Sequence, residues 1–135
     1  MFVDACAIVS ILAREETANA YRHALDSASD PFTSPLAAWE AILVLSRPGS
    51  LDCRFSDAAR VVVEWLDMNS IALRDPGDPR DVLAHAVAVA EAHGVGKRGL
   101  SNFDCFHYAH AKVADAPLLT LDRLLRETDA ETLPG

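Results

Sequence analysis

The chain has 135 residues, half of them hydrophobic, and a formal net charge of -8. This length predicts one domain over residues 1–135, and the hydrophobic fraction argues against a disordered chain. The apolar runs are too short for a transmembrane helix, and we expect no signal peptide and no membrane partner. Three cysteines without a C-x-x-C pair favour a reducing, cytoplasmic location. The acidic charge argues against passive binding to nucleic acid, although bound metal cations can reverse the local sign.

The spacing of apolar residues predicts short strands that alternate with helices. In chain order, the expected elements are a strand at 1–3, helices at 5–13 and 16–27, a strand at 32–34, helices at 35–45 and 57–67, a strand at 71–73, helices at 80–93 and 103–113, a strand at 117–120, a short helix at 122–126 and an edge strand at 131–133. The expected N-caps are Ser34, Ser56 and Asn102. This alternation predicts an α/β domain with a parallel sheet, in which ligands bind beyond the carboxyl ends of the strands.

Four carboxylates lie where such a fold would direct them toward one end of the sheet. Asp4 follows the first strand and Asp122 follows the fourth, while Glu40 and Asp104 lie on helices. Taken singly, each has an ordinary explanation, as a helix cap, a partner of the helix dipole or a solvent-facing side chain. Taken together they predict one site, because crowded carboxylates are costly unless a cation or a proton relieves their repulsion. A ligand set made only of oxygens suits Mg²⁺ or Mn²⁺.

Three motifs, in this order along the chain, resemble those of the PIN-domain ribonucleases, in particular the VapC-like toxins of bacterial toxin–antitoxin pairs. MFVDACAIVSIL resembles the first motif, an aspartate at the end of a strand, and TSPLAAWEAILVL resembles the second, a glutamate inside the third helix. RGLSNFDCFHYAHAKVADAPLLTLD resembles the third, an aspartate that opens a helix, followed by a strand and a fourth acid. The resemblance runs from residue 1 to about residue 130. It implies a PIN-like three-layer sandwich, with a central parallel sheet of four to five strands flanked by helices.

The same resemblance implies an endoribonuclease that depends on Mg²⁺ or Mn²⁺, in which a metal-activated water attacks the RNA phosphodiester bond. The catalytic and metal-binding acids of the family correspond to Asp4, Glu40, Asp104 and Asp122. The resemblance further implies a homodimer and a VapB-like antitoxin. The tail of that antitoxin would lay a helix into an apolar groove and reach toward the acidic site.

Three features depart from the family pattern. Cys6 stands where the family often has serine or threonine, and a thiol is a poor hydrogen-bond partner for a hydrated metal. The stretch 102–104, which begins with Asn102, is one residue shorter than the usual N-F-G-D. The motif around Asp122 is not the commonest toxin form, so Asp129 is an alternative fourth acid. Cys6, Asn102 and Asp129 are therefore auxiliary candidates.

RNA requires cationic contacts, and two arginines flank the acidic residues in sequence. Arg98 precedes the helix of Asp104, and Arg123 directly follows Asp122, so both are candidate substrate-binding residues. His107 lies three residues after Asp104 on the same predicted helix. We expect it at the margin of a packed helix rather than in the site.

Two other functions stay open at this point. The departures at Cys6 and at 102–104 keep open a catalytically weak or inactive PIN-fold module that binds RNA or a partner protein. A receiver-like phosphoacceptor would need a pair of acids after the first strand and a lysine after a late strand. The sequence has Asp4 alone and no such lysine, so this function ranks last.

Overall fold

The computed structural model describes residues 1–135 and contains five strands and seven helices. In chain order they are β1 (Phe2–Val3), α1 (Ala5–Leu12), α2 (Ala18–Asp26), β2 (Phe32–Thr33), α3 (Pro35–Leu45), α4 (Phe55–Met68), β3 (Ala72–Leu73), α5 (Pro79–His93), α6 (Asn102–Val113), β4 (Leu118–Leu119), α7 (Arg123–Arg126) and β5 (Thr132–Leu133). Every predicted element is present, with ends that differ by a few residues. No helix combines the length and the apolar character that crossing a bilayer requires.

The five strands form one parallel sheet in the order β3-β2-β1-β4-β5. This confirms the expected α/β architecture with a central parallel sheet. The chain first adds β2 and β3 on one side of β1 and then adds β4 and β5 on the other side. Such a reversal is a topological switch point, and a crevice opens there outside the carboxyl ends of the two central strands. Asp4 and Thr120 lie at that place, because each directly follows one member of the paired residues Val3 and Leu119.

Helices cover both faces of the sheet, so every central strand is buried on two sides. Val3 and Leu119 face one core, which also contains the inner sides of α1, α3 and α4. Phe2, Phe32 and Leu118 face the opposite core, which α5 and α6 complete. Neighbouring residues of a strand point to opposite faces, and this alternation explains why consecutive apolar residues are needed in β1 and β4. The result is the three-layer arrangement that the resemblance implied.

Two of the three expected helix caps are wrong. Ser34 caps α3 as expected, since its Oγ accepts a hydrogen bond from the Ala37 backbone N–H at 3.0 Å. However, α4 begins at Phe55 and its N-cap position is occupied by Arg54, so Ser56 lies inside the first turn.

The cap of α6 is Ser101 and not Asn102, which is the first residue of the helix. Ser101 Oγ accepts from the Asp104 N–H at 3.0 Å, and Asp104 Oδ2 accepts from the Ser101 N–H at 2.9 Å. This reciprocal pair is a capping box, which satisfies two N–H groups at once and therefore outcompetes a single asparagine cap.

The loop between β3 and α5 contacts the last turn of α6 through Gly77. Its φ is +70°, and a Cβ at this position would overlap Cγ1 of Val113. Valine has few alternative rotamers within a helix, so its methyl group cannot easily move away. The absence of a side chain at Gly77 therefore lets this loop lie against the helix that carries Asp104.

Gly77→Ala should lower the free energy of unfolding by about 2–4 kcal/mol, since steric overlap adds to the strain of a positive φ. Gly49 is the matched control, because its φ is +88° and a Cβ added there would meet no atom within 4 Å. Gly49→Ala should cost only the backbone strain, about 1–2 kcal/mol. Urea titration of both variants measures the difference, and equal losses would contradict the contact with Val113.

Candidate active site

Asp4 is the buried carboxylate at the switch point, with only 2% of its surface exposed. It occupies the N-cap position of α1, but its side chain makes no capping hydrogen bond. Oδ2 accepts instead from Thr120 Oγ1 at 2.7 Å and from Cys6 Sγ at 2.8 Å. Oδ1 accepts no hydrogen bond and faces Nε2 of His107 at 3.7 Å. The helix-cap explanation of Asp4 therefore fails, and one of its oxygens is left without a donor.

Cys6 is a partner of Asp4 in this arrangement. Burial is the main cause that raises the pKa of the Cys6 thiol, and the negative charge of Asp4 adds to it. A thiol that keeps its proton is able to donate to a carboxylate. Cys6 thus takes the place that a hydroxyl residue has in the family pattern, in contact with Asp4 itself.

Two residues of this network, Thr120 and Tyr21, were not singled out from the sequence. Tyr21 Oη accepts from the Leu121 N–H at 2.8 Å and lies 3.2 Å from Cys6 Sγ. Thr120 had a detectable signal, because it is polar and follows β4 just as Asp4 follows β1. Tyr21 had none, since a tyrosine on an amphipathic helix is equally compatible with a purely apolar core role.

Asp104 and Asp122 both lie at the starts of helices, where an aspartate commonly accepts hydrogen bonds from free backbone N–H groups. Asp104 is part of the capping box of α6, and Asp122 Oδ1 accepts from the Leu125 N–H at 3.0 Å as the cap of α7. Burial raises the pKa of Asp104, and the charges of Asp4 and Asp122 raise it further, against the opposing hydrogen bonds from Ser101. The three carboxylates are thus close enough to interact electrostatically, although two of them also cap helices.

Glu40 is connected to Asp4 by His107, and the expectation that this histidine lies at the margin of its helix is wrong. His107 has no exposed surface. Its Nε2 lies 2.7 Å from Glu40 Oε2, in addition to its 3.7 Å approach to Asp4. Burial acts to lower the pKa of His107, but the bond to Glu40 and the charges of Asp4, Glu40 and Asp104 outweigh it, so the pKa is raised. The imidazole therefore lies between two of the four predicted acids.

Asp129 lies apart from these residues. Its two oxygens accept from Tyr108 Oη at 2.7 Å and from Lys112 Nζ at 3.1 Å, and Lys112 is in the last turn of α6, whereas Asp104 is in the first. These bonds lower the pKa of Asp129, with Tyr108 the largest cause, while burial raises the pKa of Tyr108 to about 12. Asp4 and Glu40 thus share a contact with His107, and the charges of Asp4 and Asp122 act on the pKa of Asp104, whereas the partners of Asp129 are Tyr108 and Lys112.

The remaining candidates lie at the surface of the molecule. Arg123 is exposed and its guanidinium donates to Glu127 at 2.7 Å, along α7. Arg98 is exposed in the loop before α6 and forms no salt bridge. Asn102 is exposed on the first turn of α6. Of the two arginines, Arg98 is the one whose charge is uncompensated.

A comparison with models of known protein families identifies the family of this chain. The family model described as PIN domain matches residues 1–131. The chain belongs to the PIN domain family. PIN domains are generally nucleases and typically use divalent metal ions, so a nuclease-type function is what membership supports in general. A comparison with curated proteins gives no match.

The side chains of this PIN domain fit a hard divalent cation in their chemistry. The four acids supply only oxygen donors, and Asp4 Oδ1 is free of hydrogen bonds within a buried environment, which is the ligand type that Mg²⁺ and Mn²⁺ prefer. No three acidic, histidine or cysteine side chains are already arranged to bind a metal ion. Asp104 and Asp122 accept backbone N–H bonds, and Glu40 is bonded to His107. Binding a cation would require these carboxylates to share their oxygens between protein donors and the ion.

Asp104→Asn should stabilise the metal-free PIN domain at neutral pH. The raised pKa of Asp104 means that its stabilising contribution is fully present below the unfolded value of about 3.9 and is lost as pH rises through the folded pKa. Asparagine removes the charge but keeps an oxygen for the Ser101 N–H. We expect the melting temperature in EDTA to exceed that of the wild type by a few degrees at pH 7, with no difference near pH 4.

Asp129→Asn is the control, because its expected effect on the stability at neutral pH has the opposite sign. The pKa of Asp129 is lowered, so its contribution is present above the unfolded value and is lost as pH falls. This variant should be slightly less stable than the wild type at pH 7. A gain for Asp104→Asn that did not depend on pH would contradict the electrostatic origin.

Proposed function

We propose that this PIN domain is a Mg²⁺- or Mn²⁺-dependent endoribonuclease of the VapC-like toxin type. The observation that supports this proposal most is the buried carboxylate of Asp4 at the switch point of the sheet, whose contact with His107 is shared by a second acid, Glu40. Asp4 is buried there without a lysine or arginine partner, and Asp104 is electrostatically coupled to Asp4 and Asp122. A purely structural role does not explain a buried carboxylate that caps no helix.

In this proposal Asp4 and Asp104 are the principal ligands of the cation, and Glu40 and Asp122 complete the site directly or through water. The cation would neutralise charge on the phosphodiester and activate the attacking water. Cys6 and Thr120 hold the Asp4 carboxylate by donating to Oδ2, which leaves Oδ1 for the ion.

RNA binding must overcome a net charge of -8, so local cations are needed near the scissile bond. Arg98 and Arg123 are the proposed phosphate contacts, since they flank the acidic cluster in sequence. Arg98 is the stronger candidate of the two, because Arg123 already binds Glu127.

Asp4→Asn should reduce Mn²⁺-dependent cleavage of single-stranded RNA by roughly 100-fold or more, because it removes the charge that holds the cation. The amide keeps an oxygen that accepts from Thr120, so the fold should persist. Initial rates with Mn²⁺ and with EDTA provide the measurement. Asp129→Asn, which removes an acid remote from the site, should stay within about twofold of the wild type. Mn²⁺-dependent cleavage that persists in the Asp4→Asn variant would contradict the proposal.

A second candidate is a PIN module that binds RNA or a protein without cutting. The absence of a ready three-ligand arrangement and the occupation of Asp104 and Asp122 by backbone donors favour it. The cleavage assay separates the two functions. A binding module shows no metal-dependent cleavage in the wild type, and its RNA or protein affinity does not change in Asp4→Asn.

The toxin role requires an inhibiting partner, and we propose a VapB-like antitoxin bound to a homodimer of this chain. A groove of about 210 Å³ lies between α1 and α3 and is lined by Ala5, Cys6, Val9, Glu15, Glu40 and Val44. Its apolar floor suits one face of an amphipathic helix, and its two glutamates suit an arginine on that helix.

Expression of the chain alone should arrest bacterial growth, and co-expression of the small protein encoded by the adjoining gene should relieve the arrest. Val44→Arg, which places a cation in the groove, should weaken binding of that protein by about 10-fold or more, measured by calorimetry. Val63→Arg is the control, because Val63 is exposed on α4 and is not among the residues lining the groove. Equal affinities of the two variants for the partner would contradict binding at the groove. Unimpaired growth on expression of the chain alone would contradict the toxin role.

A further inference from the structure

His107 is a fully buried polar residue whose side chain lies close to two carboxylates, those of Glu40 and Asp4. It lies one turn after Asp104 on α6 and has no exposed surface. Its ring packs against Phe2, with centroids 5.8 Å apart, and stacks on Phe103 at 6.3 Å. These contacts fix the plane of the imidazole, so the direction of its Nε2 is fixed as well.

The hydrogen-bond pattern indicates which ring nitrogen carries the proton. Nδ1 of His107 is buried and has no partner, so a proton on Nδ1 would be left unsatisfied. Nε2 lies 2.7 Å from Glu40 Oε2, so a proton on Nε2 is donated to a carboxylate. In the neutral imidazole the favoured tautomer therefore has an Nε2–H that donates to Glu40, and the protonated ring keeps the same donor.

Glu40 depends on this bond for its orientation. About a quarter of its side chain is exposed (24%), and no other side chain or backbone group donates to it. A glutamate without that donor has several rotamers open to it in water, and fixing one of them costs conformational entropy. The donor also directs Glu40 toward Asp4, because the same Nε2 lies 3.7 Å from Asp4 Oδ1.

We propose that His107 is a positioning residue: it holds the Glu40 carboxylate beside Asp4 and thereby sets the affinity of the acidic site for a divalent cation. This inference rests on the proposed metal-dependent function. Hydrogen-bond partners of ligating carboxylates act on metal affinity by reducing the disorder of the ligand, and their loss commonly costs about 10–100-fold.

The test is a calorimetric titration of Mn²⁺ into the purified full chain, with no RNA present. His107→Leu removes the donor and should weaken Mn²⁺ binding by about 10–100-fold. His107→Gln places an amide N–H near the position of Nε2 and should stay within about threefold of the wild type. His110→Leu is the matched control, because His110 is also buried on α6 and packs on Phe2 at 5.8 Å, yet forms no salt bridge with Glu40 or Asp4. Its Mn²⁺ affinity should equal that of the wild type.

A second measurement separates positioning from general damage to the fold. In a Glu40→Ala background, His107→Leu should cause no further loss of affinity, since the carboxylate that it positions is absent. Should His107→Leu not fold, as judged by circular dichroism, His107→Met replaces it, because an unbranched side chain adapts to the same cavity.

Three results would overturn the positioning role of His107. The first is unchanged or tighter Mn²⁺ binding in His107→Leu, and the second is a His107→Gln variant as weak as the leucine variant. The third is weakening that persists in the Glu40→Ala background, because the effect would then not pass through Glu40. A wild-type chain that binds no Mn²⁺ overturns the proposed function itself, and this result is distinct from the other three.

Discussion

The burial of one carboxylate at the carboxyl end of the central strand is the constraint around which the site is built. Asp4 follows β1 where that strand pairs with β4, so its carboxylate has protein on nearly every side. A carboxylate in such a place is tolerated only with hydrogen-bond donors or a cation. Thr120 and Cys6 supply donors to one oxygen, and His107 approaches the other. Each of these neighbours is a polar side chain that is able to donate a hydrogen bond.

Two acids of the cluster have a double role in the structure. Asp104 and Asp122 satisfy backbone N–H groups at the starts of α6 and α7, which is worth about 1 kcal/mol for a typical cap. They also add to the negative charge at the crevice, which opposes folding. The helix caps place these acids at the carboxyl edge of the sheet. The fold therefore concentrates negative charge through bonds that stabilise it locally.

The architecture and the positions of Asp4 and Asp122 after β1 and β4 could be predicted from sequence, because both follow from short-range patterns. An aspartate directly after a buried strand points to the carboxyl edge whatever the rest of the chain does. The position of His107 could not be predicted in this way, because it depends on how α6 packs against α3. A buried histidine and one at the helix margin have the same sequence signature. The cap of α6 was misassigned for a local reason, since Ser101 and Asp104 bond reciprocally and Asn102 offers one bond only.

The environment of Cys6 has a chemical consequence for the molecule. Oxidants and alkylating reagents attack thiolates, and a thiol that is buried beside a carboxylate forms very little thiolate. The raised pKa therefore lowers the reactivity of this thiol toward peroxide and electrophiles. Cysteine therefore serves there as a neutral hydrogen-bond donor to Asp4, where a more acidic thiol would add a second negative charge.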